Sequence, residues 1–461
     1  MKFIDREREI NSLDRFWKKN ESQFIVIYGK RRFGKTELIK QFIKDKSHIY
    51  FLAQKISDND NLKMLGKLIG EYFDDIILQS SGFANWQTFF VYLKEKVKKK
   101  IVIAIDEFPY LAEANKSISS IFQAGWDEYM KSTDIFLIIC GSSIAMMEQE
   151  VLGYKAPLYG RRTGQLLLKP FGFFQASDFF PDLTFSDKLL YFSIMGGNPS
   201  YLNQIDLQKS LEENIRDNFL SPEANLYNEA EFILHEELRE PRNYFAILKA
   251  IAFNKTKVSE IVNETGFDKD FAHKYISVLE DLQIIEKEVP VTEKNPQKSR
   301  KGIYKLQDQF FKFWFKYILP NRSKIEEGRI DSVLKIILDD LYILLAENYE
   351  KIAQEIIKKN EERFFTIERN GRWWDRNEKI DIVALNEKED KILFGEVKWS
   401  NKPVGTNIYK DLKGKAELVQ WGKEHRNEYY CLFSKSGFTE DMKTIAQKEN
   451  VLLFHKDTLI R

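Results

Sequence analysis

The sequence predicts an α/β protein with an N-terminal parallel sheet, a helical middle section and a second, smaller α/β unit at the C-terminus. Three observations carry this prediction. Short apolar runs, each ending in glycine, acid or serine, recur in the first third of the chain: "FIVIYG", "IVIAIDE" and "IFLIICGSS". Continuous runs of that length suit strands buried on both faces of a parallel sheet. Helix-period stretches dominate residues 189–282. Beyond Pro320 one long helical stretch, 330–359, leads into two β-like runs, "KIDIVAL" and "KILFGEVKW".

The first run, residues 24–28, ends at Gly29, and Gly29-x4-Gly34-Lys35-Thr36 has the spacing of a phosphate-binding loop. Glycines let backbone N–H groups wrap an anion, and the helix that follows points its positive end at the phosphates. Lys35 is placed to reach the β/γ-phosphates of ATP, and the Thr36 hydroxyl to hold Mg²⁺. The second run ends in Asp106 and Glu107. The first acid is expected to hold the Mg²⁺-bound water and the second to polarise the attacking water. The third run ends at Ser142 and Ser143, where a polar side chain can sense the γ-phosphate.

These 461 residues suffice for about three or four domains. Hydrophobic residues make up 43% and aromatics 14%, enough for several cores. Lys plus Arg number 71 against 70 Asp plus Glu, so the net charge of +1 gives no global attraction to nucleic acid or membrane. A nucleic-acid surface must then be local. Two cysteines, Cys140 and Cys431, sit in apolar runs and suit a reducing cytoplasm without disulfides. The N-terminus lacks the apolar segment of a signal peptide, and no stretch reaches the ~18 apolar residues of a membrane span. The five histidines (His48, His235, His273, His425, His455) are scattered, and no His/Cys pair has zinc spacing.

The segments "FIDREREI", "GKRRFGKT", "IDEF", "CGSS", "YGRRTGQ" and "GGNPSYL" resemble the archaeal-ATPase group within the STAND branch of AAA-type NTPases. The resemblance runs from about Phe3 into the middle of the chain. It implies that the segment around Arg6 to Glu9 packs near the adenine and that Pro199 belongs to a helical domain closing over the nucleotide. It also nominates Arg161 or Arg162 for a γ-phosphate contact, which in trans would suit a nucleotide-dependent homo-oligomer. Taken without the family, the two arginines read equally well as a solvated surface turn, and "GGNP" as a plain helix stop.

In the middle, "NYFAILKAIAFN", "KVSEIVNETG" and "DKDFAHKYISVLEDLQII" make three helical runs, followed by two strand-like pieces around "TEKNPQKSRK". Three helices and a hairpin read as a winged helix. Its groove-reading helix, residues 268–282, carries two lysines against four acids, the wrong sign for attraction to DNA phosphates. Intramolecular packing is the better reading. The basic hairpin loop (Lys294, Lys298, Arg300, Lys301) admits a solvated account, and the run "KEKVKKK" closes a helix, where cations suit the negative dipole end.

In the C-terminal runs, period-2 alternation sets Glu396 and Lys398 on one face, ~6.6 Å apart. Asp381 lies early in the preceding strand, and "NEKED" between the runs favours a hairpin. Charges inside apolar strands are costly unless paired or bound to metal. Asp381 followed by Glu396-x-Lys398 resembles the PD-(D/E)XK nuclease core. That resemblance implies Mg²⁺ held by the carboxylates, a lysine supporting the nucleophilic water, and DNA or RNA as substrate. A further carboxylate is expected from the preceding helix, where Glu350 sits between Ala346 and Ala353 on an inward stripe. The alternative is a set of structural ion pairs in a fold without chemistry. Trp373 and Trp374 read either as base-stacking groups or as a lid over the hairpin. The expected division is 1–168 ATPase core, 169–238 helical lid, 239–322 winged helix and 323–461 nuclease-like domain.

Overall fold

A computed structural model describes residues 3–238, 240–422 and 426–460, so His425 lies outside the described residues. The chain divides into two compact units. One comprises residues 1–179, 198–204 and 231–239; the other comprises 180–197, 205–230 and 240–461. The region expected to form a helical lid is thus shared between them.

The N-terminal unit holds strands β1 (Gln23–Tyr28), β2 (His48–Leu52), β3 (Ile101–Asp106), β4 (Ile135–Gly141) and β5 (Gly164–Leu167). They form a five-stranded parallel sheet in the order β2-β3-β4-β1-β5. Side chains alternate across it: Phe24, Val26 and Tyr28 enter one core with Leu65, Phe89 and Phe122, while Ile25 and Ile27 enter another with Leu13, Leu38 and Phe42. Burial on both faces is why these strands read as unbroken apolar runs. The chain order reverses around β1, between β4 and β5, so a crevice opens at the carboxyl ends of these strands. The loop after β1 and the helix Lys35–Ile43 line it.

In the C-terminal unit, helices Arg242–Ala252, Val258–Thr265 and Lys269–Asp281 precede an antiparallel pair, β6 (Ile285–Glu288) and β7 (Ile303–Leu306). The helix Ile330–Lys359 then leads into strands β8 (Arg369–Asp375), β9 (Glu378–Asn386), β10 (Lys391–Lys398), β11 (Asn427–Ser434), β12 (Leu452–His455) and β13 (Thr458–Leu459). They make one mixed sheet in the order β13-β12-β11-β10-β9-β8. The predicted hairpin is β9–β10, paired antiparallel, and β10 pairs parallel with β11.

Trp373 and Trp374 belong to β8, a strand the sequence did not announce because Asn370, Gly371 and Arg372 break its apolar alternation. Trp373 is buried in the sheet's core, and Trp374 Nε1 donates to the Lys301 carbonyl at 3.2 Å. The loop between β6 and β7 is tied to β8. Val291 N–H donates to the Arg372 carbonyl at 2.8 Å, Arg369 to the Glu293 carbonyl at 2.7 Å, and Lys301 pairs with Asp375 at 3.3 Å. Part of that basic loop therefore packs within the chain.

Candidate functional site

Two arrangements of side chains can do chemistry, one in each unit. The first surrounds the loop after β1. Gly29 takes φ 146°, and a Cβ there would stand 2.4 Å from the Leu168 carbonyl oxygen; Gly34 takes φ 82°. Both positions require glycine. Lys35 is buried, and its ammonium donates to the carbonyls of Gly29 and Lys30, each at 2.9 Å. Burial lowers its pKa, with partial relief from Glu107 and Asp106 among nearby anionic groups. The loop thus carries a partly desolvated cation held on its own backbone.

Thr36 Oγ1 donates to Asp106 Oδ2 at 2.7 Å, and the Tyr50 hydroxyl donates to the same oxygen at 2.8 Å. Loop hydroxyl and strand carboxylate therefore meet, as a divalent cation between them would require. Glu107 sits in the left-handed region at φ 56°, which turns its side chain off the strand axis. Its Oε2 accepts from Ser142 Oγ at 2.8 Å and from Ser142 N–H at 3.3 Å. The ends of β3 and β4 are joined at the point where the sequence placed a water-polarising acid and a phosphate sensor.

A cavity of about 770 Å³ opens over this loop. Gly34, Lys35, Thr36, Glu107, Ser142 and Pro199 all line it, and Pro199 approaches Gly34 within 3.8 Å of a notional Cβ. Its other wall is Phe3, Ile4, Arg6, Phe171 and Phe179, an apolar slot suited to a base. Arg6 is buried there with a left-handed backbone at φ 70°. It donates to the carbonyls of Phe33 (3.2 Å) and Lys169 (2.8 Å), pairs with Glu9 at 3.1 Å and lies 4.2 Å from the Phe171 ring centre. The N-terminal segment therefore belongs to this site.

Arg161 and Arg162 stand apart from this chain's own cavity. Neither lines the cavity. Arg161 pairs with Asp127 at 3.1 Å; Arg162 donates to the Leu152 carbonyl at 3.3 Å and lies over Tyr159. Besides Arg6, the arginines that line it are Arg31 and Arg32, which come from the loop itself and were not singled out from sequence. Arg31 pairs with Glu236 at 2.7 Å and reaches the Tyr110 hydroxyl at 2.6 Å. Next to Glu236, Glu237 accepts from Ser143 Oγ (3.2 Å) and Ile144 N–H (3.4 Å), and burial raises its pKa. No local pattern marked either acid, since their position depends on a chain return from residue 231.

The second arrangement lies on β9 and β10. Asp381 and Glu396 are both buried. Asp381 Oδ2 accepts from Val397 N–H at 3.2 Å, and its Oδ1 has no hydrogen-bond partner, although Lys379 Nζ stands 3.4 Å away. Glu396 Oε1 is held by Lys398 at 2.7 Å and Lys415 at 3.4 Å, and its Oε2 has no partner. Glu396 and Lys398 therefore share a face, as the alternation predicts. Glu350, nominated from the preceding helix, lies beside Asp381. It pairs with Lys379 at 3.5 Å and Arg372 at 3.6 Å, and its pKa is raised by burial and then by Asp381. Among the described residues no three His, Cys, Asp or Glu side chains gather as a metal-binding group. The donor set for a cation here is two carboxylates, Glu396 with Oε2 open and Asp381 with Oδ1 in an ion pair to Lys379.

A family model described as an ATPase domain predominantly from Archaea matches residues 3–205. A second, describing archaeal and bacterial proteins of unknown function, matches residues 314–410. The chain is 38% identical over 442 residues to an uncharacterized protein of Methanocaldococcus jannaschii, covering 94% of this chain and 95% of that one. A shorter uncharacterized protein of the same organism is 41% identical over 93 residues, 19% of this chain and 84% of its own. Among solved structures, a Walker-type ATPase of Pyrococcus abyssi superposes with a TM-score of 0.50 at 20% identity, covering 68% of this chain and 96% of its own. No helix among the described residues is long and apolar enough to cross a membrane.

Proposed function

The chain belongs to the archaeal ATPase family, and we propose that it is an ATP-hydrolysing switch coupled to a magnesium-dependent, nuclease-like domain acting on nucleic-acid phosphodiesters. The ATPase half follows from the family, and its parts have evident roles. The apolar slot behind Arg6 takes the base, and the loop N–H groups with Lys35 take the phosphates. Thr36 and Asp106 would hold Mg²⁺, which when bound neutralises charge on the β- and γ-phosphate oxygens. Glu107, steadied by Ser142, is placed to orient water toward the γ-phosphate.

The nuclease half is carried by one observation: two buried carboxylates on paired strands, beside Lys398, neither with all its oxygens hydrogen-bonded. An unpaired buried carboxylate oxygen is costly, and a divalent cation bound by both residues offsets that cost. Mg²⁺ held by Asp381 and Glu396 would polarise a phosphoryl oxygen. Lys398 would steady the attacking water or the developing charge. We further propose the four-segment division read from the sequence, with the three helices and β6–β7 as a winged helix serving intramolecular packing. DNA or RNA as the partner, a nucleotide-dependent homo-oligomer and a cytoplasmic setting complete the reading.

The test is cleavage of plasmid, linear and single-stranded DNA and of RNA, with Mg²⁺ or Mn²⁺, with and without ATP, beside Glu396→Ala. Cleavage lost in that variant and altered by ATP is the expected result. A second reading is favoured by the way Lys379 and Arg372 hold Glu350: an ATP-regulated signalling or scaffold protein whose C-terminal domain binds without cutting. No cleavage of any substrate, with ATP hydrolysis intact, selects it.

A further inference from the structure

The C-terminal unit holds a cavity of about 300 Å³ bounded by β7, the helix Gln309–Phe313, the long helix Ile330–Lys359 and the start of β8–β9. Its wall carries five cations, Lys305, Lys312, Lys351, Arg372 and Lys379, against two carboxylates, Glu347 and Glu350. Glu286 and Glu288, outside the lining, pair with Lys351 at 3.1 Å and Lys305 at 2.5 Å. Lys312 also pairs with Glu347, Arg372 with Glu350 at 3.6 Å and Glu288 at 3.8 Å, and Lys379 with Asp381 at 3.4 Å, so each cation of the wall already has a carboxylate partner.

Two donors in this wall have no acceptor. Asn348 is 3% exposed, its Oδ1 accepts from Gln309 at 3.2 Å, and its Nδ2 has no partner. Arg372 Nε likewise has none. A buried donor left without an acceptor is costly, and native structures keep few of them. The cations also crowd one another: burial, then Lys351 and Lys305, push the Lys312 ammonium down to about 7. An anion in the cavity would relieve the crowding and receive both donors.

We propose that this cavity binds a phosphate group, as a phosphomonoester or a phosphodiester, with Arg372 and Asn348 as its hydrogen-bond donors and Lys351 at its rim. Phosphate fits better than a carboxylate, because its several acceptor oxygens match the donors of a guanidinium, an amide and flanking ammonium groups. The space also exceeds what a bare carboxylate would fill and lies at the small end of nucleotide-sized sites. This goes beyond the nuclease reading and needs no cleavage.

The experiment uses the full chain carrying Lys35→Met, which weakens phosphate binding at the N-terminal loop. Inorganic pyrophosphate, AMP and an eight-residue oligothymidylate are titrated calorimetrically. The expected result is one saturable site for at least one probe, weakened at least tenfold by Arg372→Gln and about threefold by Lys351→Gln. Pyrophosphate or AMP binding identifies a free phosphate ester as the source, whereas binding of the oligonucleotide alone identifies a backbone phosphate. Lys351 is partly exposed, so its variant decides the matter if Arg372→Gln lowers the melting temperature. No saturation by any probe, or affinities unchanged in the variants that fold, overturns the proposal.

Discussion

Replacing Lys35 by methionine separates nucleotide binding from folding, and the structure sets the size of both effects. In the free protein its ammonium is bonded to two loop carbonyls at 2.9 Å and is buried deeply enough to depress its pKa. Binding ATP exchanges those neutral acceptors for phosphate oxygens, and a hydrogen bond to a charged partner contributes about 1.5–3 kcal/mol. Losing it raises the ATP Kd by about 10- to 150-fold. Methionine keeps the apolar stem, and the lost carbonyl bonds, about 0.5–1.5 kcal/mol each, are offset by removal of a desolvated charge. The melting temperature should therefore stay within about 3 °C of the parent. Calorimetric titration with a non-hydrolysable ATP analogue, beside thermal unfolding, measures both quantities. An ATP affinity within twofold of the parent would refute the assignment of this loop.

Further predictions concern neighbouring groups. Asp106→Asn should keep metal-free nucleotide binding within about threefold and abolish Mg²⁺-stimulated hydrolysis, read by phosphate release; retained hydrolysis would remove Asp106 from the metal site. Glu236→Gln frees Arg31 from an ion pair whose members are both more than a third exposed. Such pairs are worth up to about 1 kcal/mol, so ATP should bind up to about fivefold more tightly, and unchanged affinity would mean that Arg31 does not reach the phosphates. Lys312 supplies a pH test. Its folded pKa, about 7, lies below the ordinary 10.5, so the unfolded chain takes up the proton first as pH falls. Stability linked to Lys312 is thus full above the unfolded value and is lost as pH falls toward 7. Melting temperatures between pH 7 and 9.5 should rise more steeply in the parent than in Lys312→Met, and equal slopes would contradict the shift.

The parts of this protein legible in its sequence are those fixed by local backbone demands. Gly29 and Gly34 are needed for dihedrals and close approach, Lys35 and Thr36 follow at set spacing, and Asp106 and Ser142 end strands whose two-sided burial makes them unbroken apolar runs. The hairpin of β9 and β10 was equally plain, because alternation fixed which side chains share a face. Long-range returns were not legible. Arg161 and Arg162 carry the right charge in the right interval, but Asp127, 34 residues before Arg161, takes the first into an ion pair. Arg6 and the loop's own Arg31 and Arg32 line the cavity.

Glu350 shows the same limit more sharply. Helical periodicity correctly turns it inward, toward Asp381, and that proximity helps to raise its pKa. What periodicity cannot give is the company it finds there. Arg372 and Lys379 reach it from β8 and β9, and β8 was hidden by its broken apolar pattern. Both oxygens of Glu350 are taken, one by each cation, whereas the two lysines on Glu396 share Oε1 and leave Oε2 open, so Glu350 is the poorer metal ligand of the two. Glu350 therefore does more for the charge balance of the neighbouring cavity than for a cation at Asp381 and Glu396. Glu350→Gln should weaken Mg²⁺ binding at those two carboxylates by less than threefold while tightening pyrophosphate binding in the cavity. Calorimetry of both ligands in the Lys35→Met background reads the two effects, and a Mg²⁺ affinity lost with Glu350 would restore it to the metal site.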